Sequence, residues 1–210
     1  MSATENAYSY VKSRILNRSF PEGVFLTEGE IAKALGISRT PVREAFLLLK
    51  AEDLVQLVPK KGTLVPEISL REIKEVMEAR VLIESFAAEK LARKRGKIAP
   101  QLRTVLERQA EVAEDGKIEE FIRLDRQFHR TIVSSSGNKL LVTFYEGLRD
   151  RQIRMGIRAV AYSPERMTRV LEEHRAIVVA LEEANADKLK KTIYEHLNAT
   201  RAILEEESLE

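Results

Sequence analysis

Apolar and polar residues alternate with a helical period along most of the chain. From Ser69 onward, apolar residues recur at every third or fourth position, which is the spacing of amphipathic helices. Breaks interrupt this pattern near residues 95–100, 115–117, 134–138, 163–164 and 185–187. The pattern predicts an all-α antiparallel bundle of about six helices with short connections.

The preceding residues form shorter segments. A first helix is predicted from about Ala3 to Asn17, and a second begins at a capping box of Thr27 and Glu30 and ends before Gly36. Ser38 is expected to cap a third helix, whose core-facing side chains are predicted to be Val42, Ala45, Phe46, Leu48 and Leu49.

A predicted β-hairpin follows the third helix. The segments V-Q-L-V and T-L-V flank the turn P-K-K-G, and both are rich in residues that favour strands. Three helices followed by a hairpin are the outline of a winged helix-turn-helix. The fold is therefore expected to be mostly α, with a winged helix-turn-helix at residues 1–67 and a helical domain at 68–210.

Composition excludes several classes of site. None of the 210 residues is a cysteine, so disulfides, zinc fingers, iron–sulfur clusters and thiol chemistry are ruled out. No run approaches the ~18 apolar residues of a membrane span, and the first residues lack the apolar core of a signal peptide. We expect a cytoplasmic protein without a membrane partner. The net charge of +2 is too small to indicate a partner.

The third helix begins with residues suited to DNA. In a helix-turn-helix, this end of the second helix of the pair reaches base edges in the major groove. Here this end of the helix carries Ser38, Arg39, Thr40 and Arg43. Arginine side chains can form paired hydrogen bonds to guanine, and serine and threonine hydroxyls can donate hydrogen bonds to phosphates. Lys60 and Lys61 at the hairpin tip could contact the DNA backbone or minor groove. The alternative is an ordinary helix start and a solvated turn.

All three histidines and one aspartate are predicted to face the interior of the bundle. Asp125 and His129 are one helical turn apart at the edge of one apolar stripe, while His174 and His196 lie within the stripes of two other helices. Buried imidazole and carboxylate groups need partners, and helical bundles build metal sites in this way. Three nitrogens and one oxygen suit a divalent transition metal, with Zn or Ni favoured. The alternative is a set of hydrogen-bonded core histidines.

The N-terminal residues resemble a known family. The words G-I-S-R-T-P-V-R-E-A-F and P-K-K-G-T-L-V are similar to the DNA-binding domain of GntR-type bacterial transcription regulators. The resemblance implies a homodimer on a pseudo-palindromic DNA operator, with contacts from Ser38, Arg39, Thr40 and Arg43 and with Gly62 at the wing tip. Gly29 departs from the family, which commonly has arginine there, so the operator sequence cannot be transferred.

The C-terminal residues resemble the FCD ligand-binding domain of the FadR subfamily. The resemblance rests on L-D-R-Q-F-H-R-T-I, E-H-R-A-I-V and the final H-L. It implies that Asp125, His129, His174 and His196 bind a metal, and it disfavours a fatty-acyl effector.

The effector is then expected to be a small carboxylate held by the metal and a cation. Arg80 is the first candidate because it lies on the inner stripe of its helix. A structural ion pair of Arg80 with an acid such as Glu84 or Glu173 is the alternative. Further candidate cations are Arg149, Arg151 and Arg154.

These observations predict a transcription regulator, expected to be a repressor, and not an enzyme; the sequence does not decide between repression and activation. Two alternatives stay open. One is a metal-dependent enzyme that uses the Asp/His₃ site, although no general base, nucleophile motif or phosphate-binding loop accompanies it. The other is a regulator whose metal is purely structural.

Overall fold

A computed structural model describes residues 1–92 and 97–209 of the chain. The chain divides into two compact units, Met1–Ile68 and Ser69–Glu210. Each unit is a separate body with its own hydrophobic core.

The first unit is a small helical domain with a three-stranded antiparallel sheet. Within residues 1–68, its elements are α1 (Ala3–Leu16), β1 (Phe25–Leu26), α2 (Glu28–Leu35), α3 (Arg39–Ala51), β2 (Gln56–Val58) and β3 (Gly62–Leu64). The strand order is β1-β3-β2, with Leu64 of β3 paired to both Phe25 and Gln56. The predicted hairpin is confirmed, and the two-residue strand β1 is an addition.

Capping explains the position of α2. Thr27 accepts a hydrogen bond from the backbone of Glu30, whose side chain accepts one in return, and Gly36 ends the helix in the left-handed region at φ +65°. Ser38 holds the N-cap position of α3, but its side chain makes no capping hydrogen bond. The expectation that the Ser38 hydroxyl caps α3 is therefore wrong.

The core-facing side of α3 is narrower than predicted. Val42, Ala45, Phe46 and Leu49 are buried, while Leu48 is 50% exposed. The buried residues follow one another at helical spacings of three and four, which keep them on one face of α3. Leu48 lies six residues after Val42, a spacing that places it on another face, so the prediction for Leu48 is wrong.

The second unit is a helical bundle, and the predicted fold class is confirmed. Its described residues form seven helices, α4 (Leu70–Ala92), α5 (Ala99–Glu114), α6 (Ile118–Ser135), α7 (Lys139–Gly147), α8 (Arg149–Tyr162), α9 (Arg166–Glu182) and α10 (Ala186–Glu207). The predicted break at 95–100 falls partly on residues 93–96, which lie outside the described residues. Helix α4 packs against α10 and α6, and α5 packs against α6 and α9.

Helices α7 and α8 occupy a segment predicted to be one helix. They meet at Leu148, whose N–H bonds to the carbonyl of Tyr145 three residues back rather than four. Gly147 precedes the junction and has low helix propensity, which favours a break there. This junction makes the count seven helices rather than about six.

Among the described residues, no helix is long and apolar enough to cross a membrane.

Candidate metal centre and nucleic-acid interface

Three helices bring the four predicted metal ligands together. Helix α6 carries Asp125 and His129, α9 carries His174 and α10 carries His196. One ligand atom from each residue lies within 4.8 Å of the other three. The three imidazoles are buried, and the Asp125 side chain is 18% exposed.

Three of the distances between ligand atoms match those of a metal shell, and the distance from Asp125 to His129 is longer. The Nε2 atom of His129 is 3.0 Å from that of His196 and 3.3 Å from that of His174. The Oδ1 atom of Asp125 is 3.4 Å from His174 Nε2 and 4.0 Å from His129 Nε2. Ligands bonded to a metal at about 2.0–2.1 Å lie roughly 2.9–3.4 Å apart in tetrahedral or octahedral geometry. The residues present therefore fit a divalent metal.

The other ring nitrogen of each histidine has an acceptor. His129 Nδ1 lies 2.6 Å from Glu84 Oε2, and His196 Nδ1 lies 2.6 Å from Glu173 Oε2. His174 Nδ1 lies 2.9 Å from the amide oxygen of Gln109.

These acceptors assign the tautomers. An ionised carboxylate only accepts hydrogen bonds, so His129 and His196 donate through Nδ1. The Gln109 amide nitrogen donates to the carbonyl of Phe121 at 3.4 Å, which turns its oxygen toward His174. In the neutral rings, all three Nε2 atoms then present lone pairs to one another. The lone pairs of Nε2 atoms that lie 3.0–3.3 Å apart repel each other, and a cation bound between the nitrogens removes that repulsion.

Two ion pairs, one buried and one partly buried, hold the carboxylates that orient the histidines. Glu84 accepts from Arg80 Nε at 2.9 Å and from the Tyr145 hydroxyl at 3.0 Å. Burial alone would raise the pKa of Glu84, but attraction to His129 and Arg80 outweighs it and holds this pKa well below its usual range.

Glu173 is held by Arg166 in the same manner. Both terminal nitrogens of Arg166 bind Glu173 at 2.7 Å, and one also donates to the His196 carbonyl and the Thr200 hydroxyl. Against the opposing effect of burial, hydrogen bonds from His196 and Arg166 lower the pKa of Glu173 to about 2.

The imidazoles are suited to bind metal at neutral pH. Burial and the neighbouring histidines lower the pKa of His174 well below its usual value, and burial lowers that of His196 despite its bond to Glu173. Metal ligation needs the neutral ring, so burial favours the binding form.

A small cavity of about 30 Å³ adjoins the ligand cluster. Its polar lining consists of Arg80, Asp125, Gln152, Arg166, His196 and Thr200. Arg80 forms the ion pair with Glu84 that was the alternative to an effector contact, and it also lines this cavity.

Sequence reasoning missed most of the residues around the ligands. Only Glu84 and Glu173 were considered, as partners of Arg80, and Glu173 instead binds Arg166. Of the other candidate cations, Arg149 is exposed, Arg151 pairs with Glu72 at 3.2 Å and Arg154 is buried. A possible signal for Glu84 was its position one helical turn after Arg80.

Four of the seven predicted DNA-contacting residues line one surface groove of the first unit. A surface groove of about 680 Å³ is bounded by Arg39 and Arg43 of α3 and by Lys60 and Gly62 of the wing turn. Gly62 has φ +117°, and a Cβ there would lie 2.9 Å from the Leu26 carbonyl oxygen, so the turn requires glycine. Ser38, Thr40 and Lys61 are exposed.

An acidic residue, Glu28, and a residue without a side chain, Gly29, lie beside the arginines of this surface. Glu28 accepts two hydrogen bonds from Arg43, at 2.7 and 3.0 Å. A Cβ at Gly29 would lie 3.6 Å from Arg39 Nη2. The arginine that the family commonly has at position 29 is absent, and the guanidinium of Arg39 lies close to that position.

In the comparison with known proteins, each of the two units matches a different family model. Residues 3–65 match the family described as bacterial regulatory proteins of the gntR family, and residues 75–199 match the FCD domain. The chain is 28% identical over 197 residues to the HTH-type transcriptional regulator YdhC of Bacillus subtilis, covering 91% of this chain and 86% of that protein.

Two further proteins illustrate the range of similarity. The gluconate operon transcriptional repressor of Bacillus licheniformis is 25% identical, with 93% of this chain and 82% of that protein covered. The solved structure of McbR/YncC from E. coli superimposes with a TM-score of 0.76 at 25% identity and covers 99% of both chains.

Proposed function

The chain belongs to the GntR family and carries an FCD domain, so it is a DNA-binding transcriptional regulator and not an enzyme; from that premise we propose that a small carboxylate, held at a divalent metal in the second unit, controls operator binding. The observation that carries this proposal is the convergence of three Nε2 atoms and one carboxylate while each Nδ1 atom has an outer acceptor.

Asp125, His129, His174 and His196 are proposed to hold the metal. The set contains only nitrogen and oxygen donors, which suits zinc or nickel. When bound, the metal supplies a positive charge with open coordination positions for an anion. Glu84, Gln109 and Glu173 keep the histidines in the binding tautomer, and they come from three helices, so the bound state also ties the bundle together.

Arg80 is proposed to help hold the carboxylate. Its side chain is almost fully buried, carries a positive charge and lines the cavity beside Asp125 and His196. A guanidinium has five N–H donors, and the contact with Glu84 Oε1 is made through Nε. A carboxylate in the cavity would then lie between a metal and an arginine.

The first unit is proposed to bind double-stranded DNA. Ser38, Arg39, Thr40 and Arg43 would enter the major groove, while Lys60, Lys61 and Gly62 of the wing would contact the backbone. A homodimer would place two copies of α3 on a pseudo-palindromic operator. Repression would end when the effector favours an arrangement of the dimer that binds operator weakly, which is a coupling free energy between two sites.

The test is a series of thermal melts on chelator-stripped protein. Zinc and nickel are added singly, each with and without a panel of small hydroxycarboxylates and dicarboxylates. A ligand of the folded state stabilises it by about 2.7 kcal/mol at a hundredfold excess over its Kd. We expect the metal to raise Tm and one class of carboxylate to raise it further.

Two outcomes would change the proposal. A metal-dependent rise that no carboxylate increases would favour a regulator with a purely structural metal. The absence of any metal-dependent rise, after removal of metal has been verified, would mean that the histidines are core residues.

A further inference from the structure

Gln152 of α8 is buried without the partners that a buried amide needs. Its exposed fraction is 7%, and neither its amide nitrogen nor its amide oxygen has a hydrogen-bond partner among the described residues. An unpaired buried polar group destabilises the folded state, so such groups are rare and require an explanation.

Gln109 shows that this bundle can satisfy a buried glutamine. Its amide nitrogen donates to the Phe121 carbonyl and its oxygen accepts from His174. Both glutamines lie in the interior of the same unit, yet only one has a complete set of partners within the described chain. We therefore assign a structural role to Gln109 and infer that the amide of Gln152 interacts with another molecule.

The position of Gln152 indicates what that molecule is. Its side chain lines the cavity beside the metal cluster, together with Arg80, Asp125 and Arg166. The Nε atom of Arg166 is also buried without a partner among the described residues. Valine, isoleucine and methionine side chains form much of the remaining lining. The cavity therefore combines cations near the cluster with one neutral amide.

The chemistry of an amide favours a particular ligand. Its nitrogen donates and its oxygen accepts, and both lie on the same edge. A second carboxylate could accept from the nitrogen but would place lone pairs against the amide oxygen. A hydroxyl beside another oxygen satisfies both atoms, because the hydroxyl donates to Oε1 while its neighbour accepts from Nε2.

We propose that Gln152 is the specificity-determining residue of the effector cavity and selects carboxylates that carry a hydroxyl over matched acids that lack one. This inference rests on the proposed function, and it adds the class of effector and the residue that reads it. The cavity of about 30 Å³ has room for about one water molecule, so a carboxylate enters only if side chains of the lining move, and the smallest acids need the least movement.

Calorimetric titration of the full-length, zinc-loaded protein tests the proposal with pairs of acids that differ by one hydroxyl. The pairs are glycolate and acetate, lactate and propionate, and malate and succinate. We expect the hydroxylated member of at least one pair to bind about tenfold or more tightly, because the plain acid leaves the amide oxygen unpaired.

The variant Gln152→Leu isolates the contribution of the amide. It should lose about tenfold affinity for the hydroxylated acid, keep its affinity for the plain acid and keep its affinity for zinc. The matched control is Gln101→Leu, which changes an exposed glutamine on α5 and should leave the preference intact.

The stability of the metal-free variant gives a second, independent readout. Leucine removes an unpaired buried amide, so Gln152→Leu should melt roughly 2–4 °C above the wild type. A glutamine with a structural role would give a lower Tm on replacement, and that result would overturn the proposal.

The remaining outcomes separate this inference from the proposed function. Equal affinity for both members of every pair, or a preference that survives in Gln152→Leu, overturns the role of Gln152 while the carboxylate-sensing site stands. Failure of the zinc-loaded protein to bind any carboxylate overturns both.

Discussion

At the scale of single residues, the outer partners of the histidines decide what the cluster can bind. An imidazole with a free choice of tautomer could satisfy itself within a core. Here Glu84, Gln109 and Glu173 each accept a hydrogen bond from an Nδ1–H group, and the inner nitrogens of the neutral rings are left as acceptors. A cation shared by the three inner nitrogens would satisfy this arrangement.

Replacing Glu84 tests the importance of the outer partners. Glu84→Gln retains the size of the side chain but removes the charge that orients His129 and balances Arg80. Metal affinity should fall roughly 10–100-fold, as measured by competition with a chromogenic chelator. Glu78→Gln changes an exposed acid on the same helix and should have no effect. Equal affinities in all three proteins would count against the assigned tautomer of His129.

The metal-free protein should lose stability as the pH falls through the range in which free histidine titrates. The pKa values of His174 and His196 lie below 6.5 in the folded state, chiefly because burial disfavours the charged ring. Above pH 6.5 both histidines are neutral in both states; as the pH falls below it, the unfolded chain takes up protons before the folded protein does. The free energy of unfolding should therefore fall by up to ~1.4 kcal/mol per pH unit for each histidine.

Denaturant unfolding of stripped protein between about pH 8 and pH 5 measures this slope. The double variant His174→Gln/His196→Gln should have a smaller slope over the same range. An unchanged slope would place the dependence on other groups.

At the scale of elements, the contact between α6 and α8 depends on one glycine. A Cβ at Gly156 would lie 2.9 Å from the Cγ2 atom of Ile122, whereas a Cβ at Gly147 would meet no described atom within 4 Å. Gly156 follows Gln152 by one turn and lines the same cavity, so the close packing of these two helices also shapes the cavity wall.

Alanine at the two positions should have opposite effects. Gly156→Ala forces α6 and α8 apart and should destabilise by about 1–3 kcal/mol. Gly147→Ala should be neutral or stabilise by up to ~1 kcal/mol, because alanine has the higher helix propensity. Chemical denaturation compares the two variants directly. A Gly156→Ala protein as stable as the wild type would show that Ile122 moves aside at little cost.

At the scale of the whole molecule, the proposed DNA contacts and the proposed metal ligands belong to different units. The groove bounded by Arg39, Arg43 and Lys60 belongs to the unit Met1–Ile68, and all four ligands belong to Ser69–Glu210. A single substitution should therefore remove operator binding without affecting metal binding, and another should do the reverse.

Arg43→Ala should weaken operator binding severely while zinc affinity stays unchanged. Arg43 is exposed, so its removal leaves no cavity, and it offers the guanidinium that best reads guanine. A mobility-shift assay with DNA selected from a random pool measures the first effect, and chelator competition measures the second. His129→Ala should abolish zinc binding. Loss of both properties in Arg43→Ala would contradict the separation.

Sequence alone determined the fold class, most helix boundaries and the four candidate ligands. The helix boundaries could be predicted from the sequence because capping residues such as Thr27, Glu30 and Gly36 act within a few residues of their own helix. The ligands were readable because a polar residue within an apolar stripe must face the interior, and the period of the helix identifies that face without knowledge of its neighbours.

Tertiary structure alone decided what surrounds those ligands. Glu84 is 45 residues from His129, Gln109 is 65 from His174, and Glu173 is 23 from His196. A helical period states which face is buried but not which helix covers it. The tautomers of the histidines and the unpaired amide of Gln152 therefore depend on how α4, α5, α8, α9 and α10 pack, since a buried polar group takes its partners from the helices that happen to be adjacent.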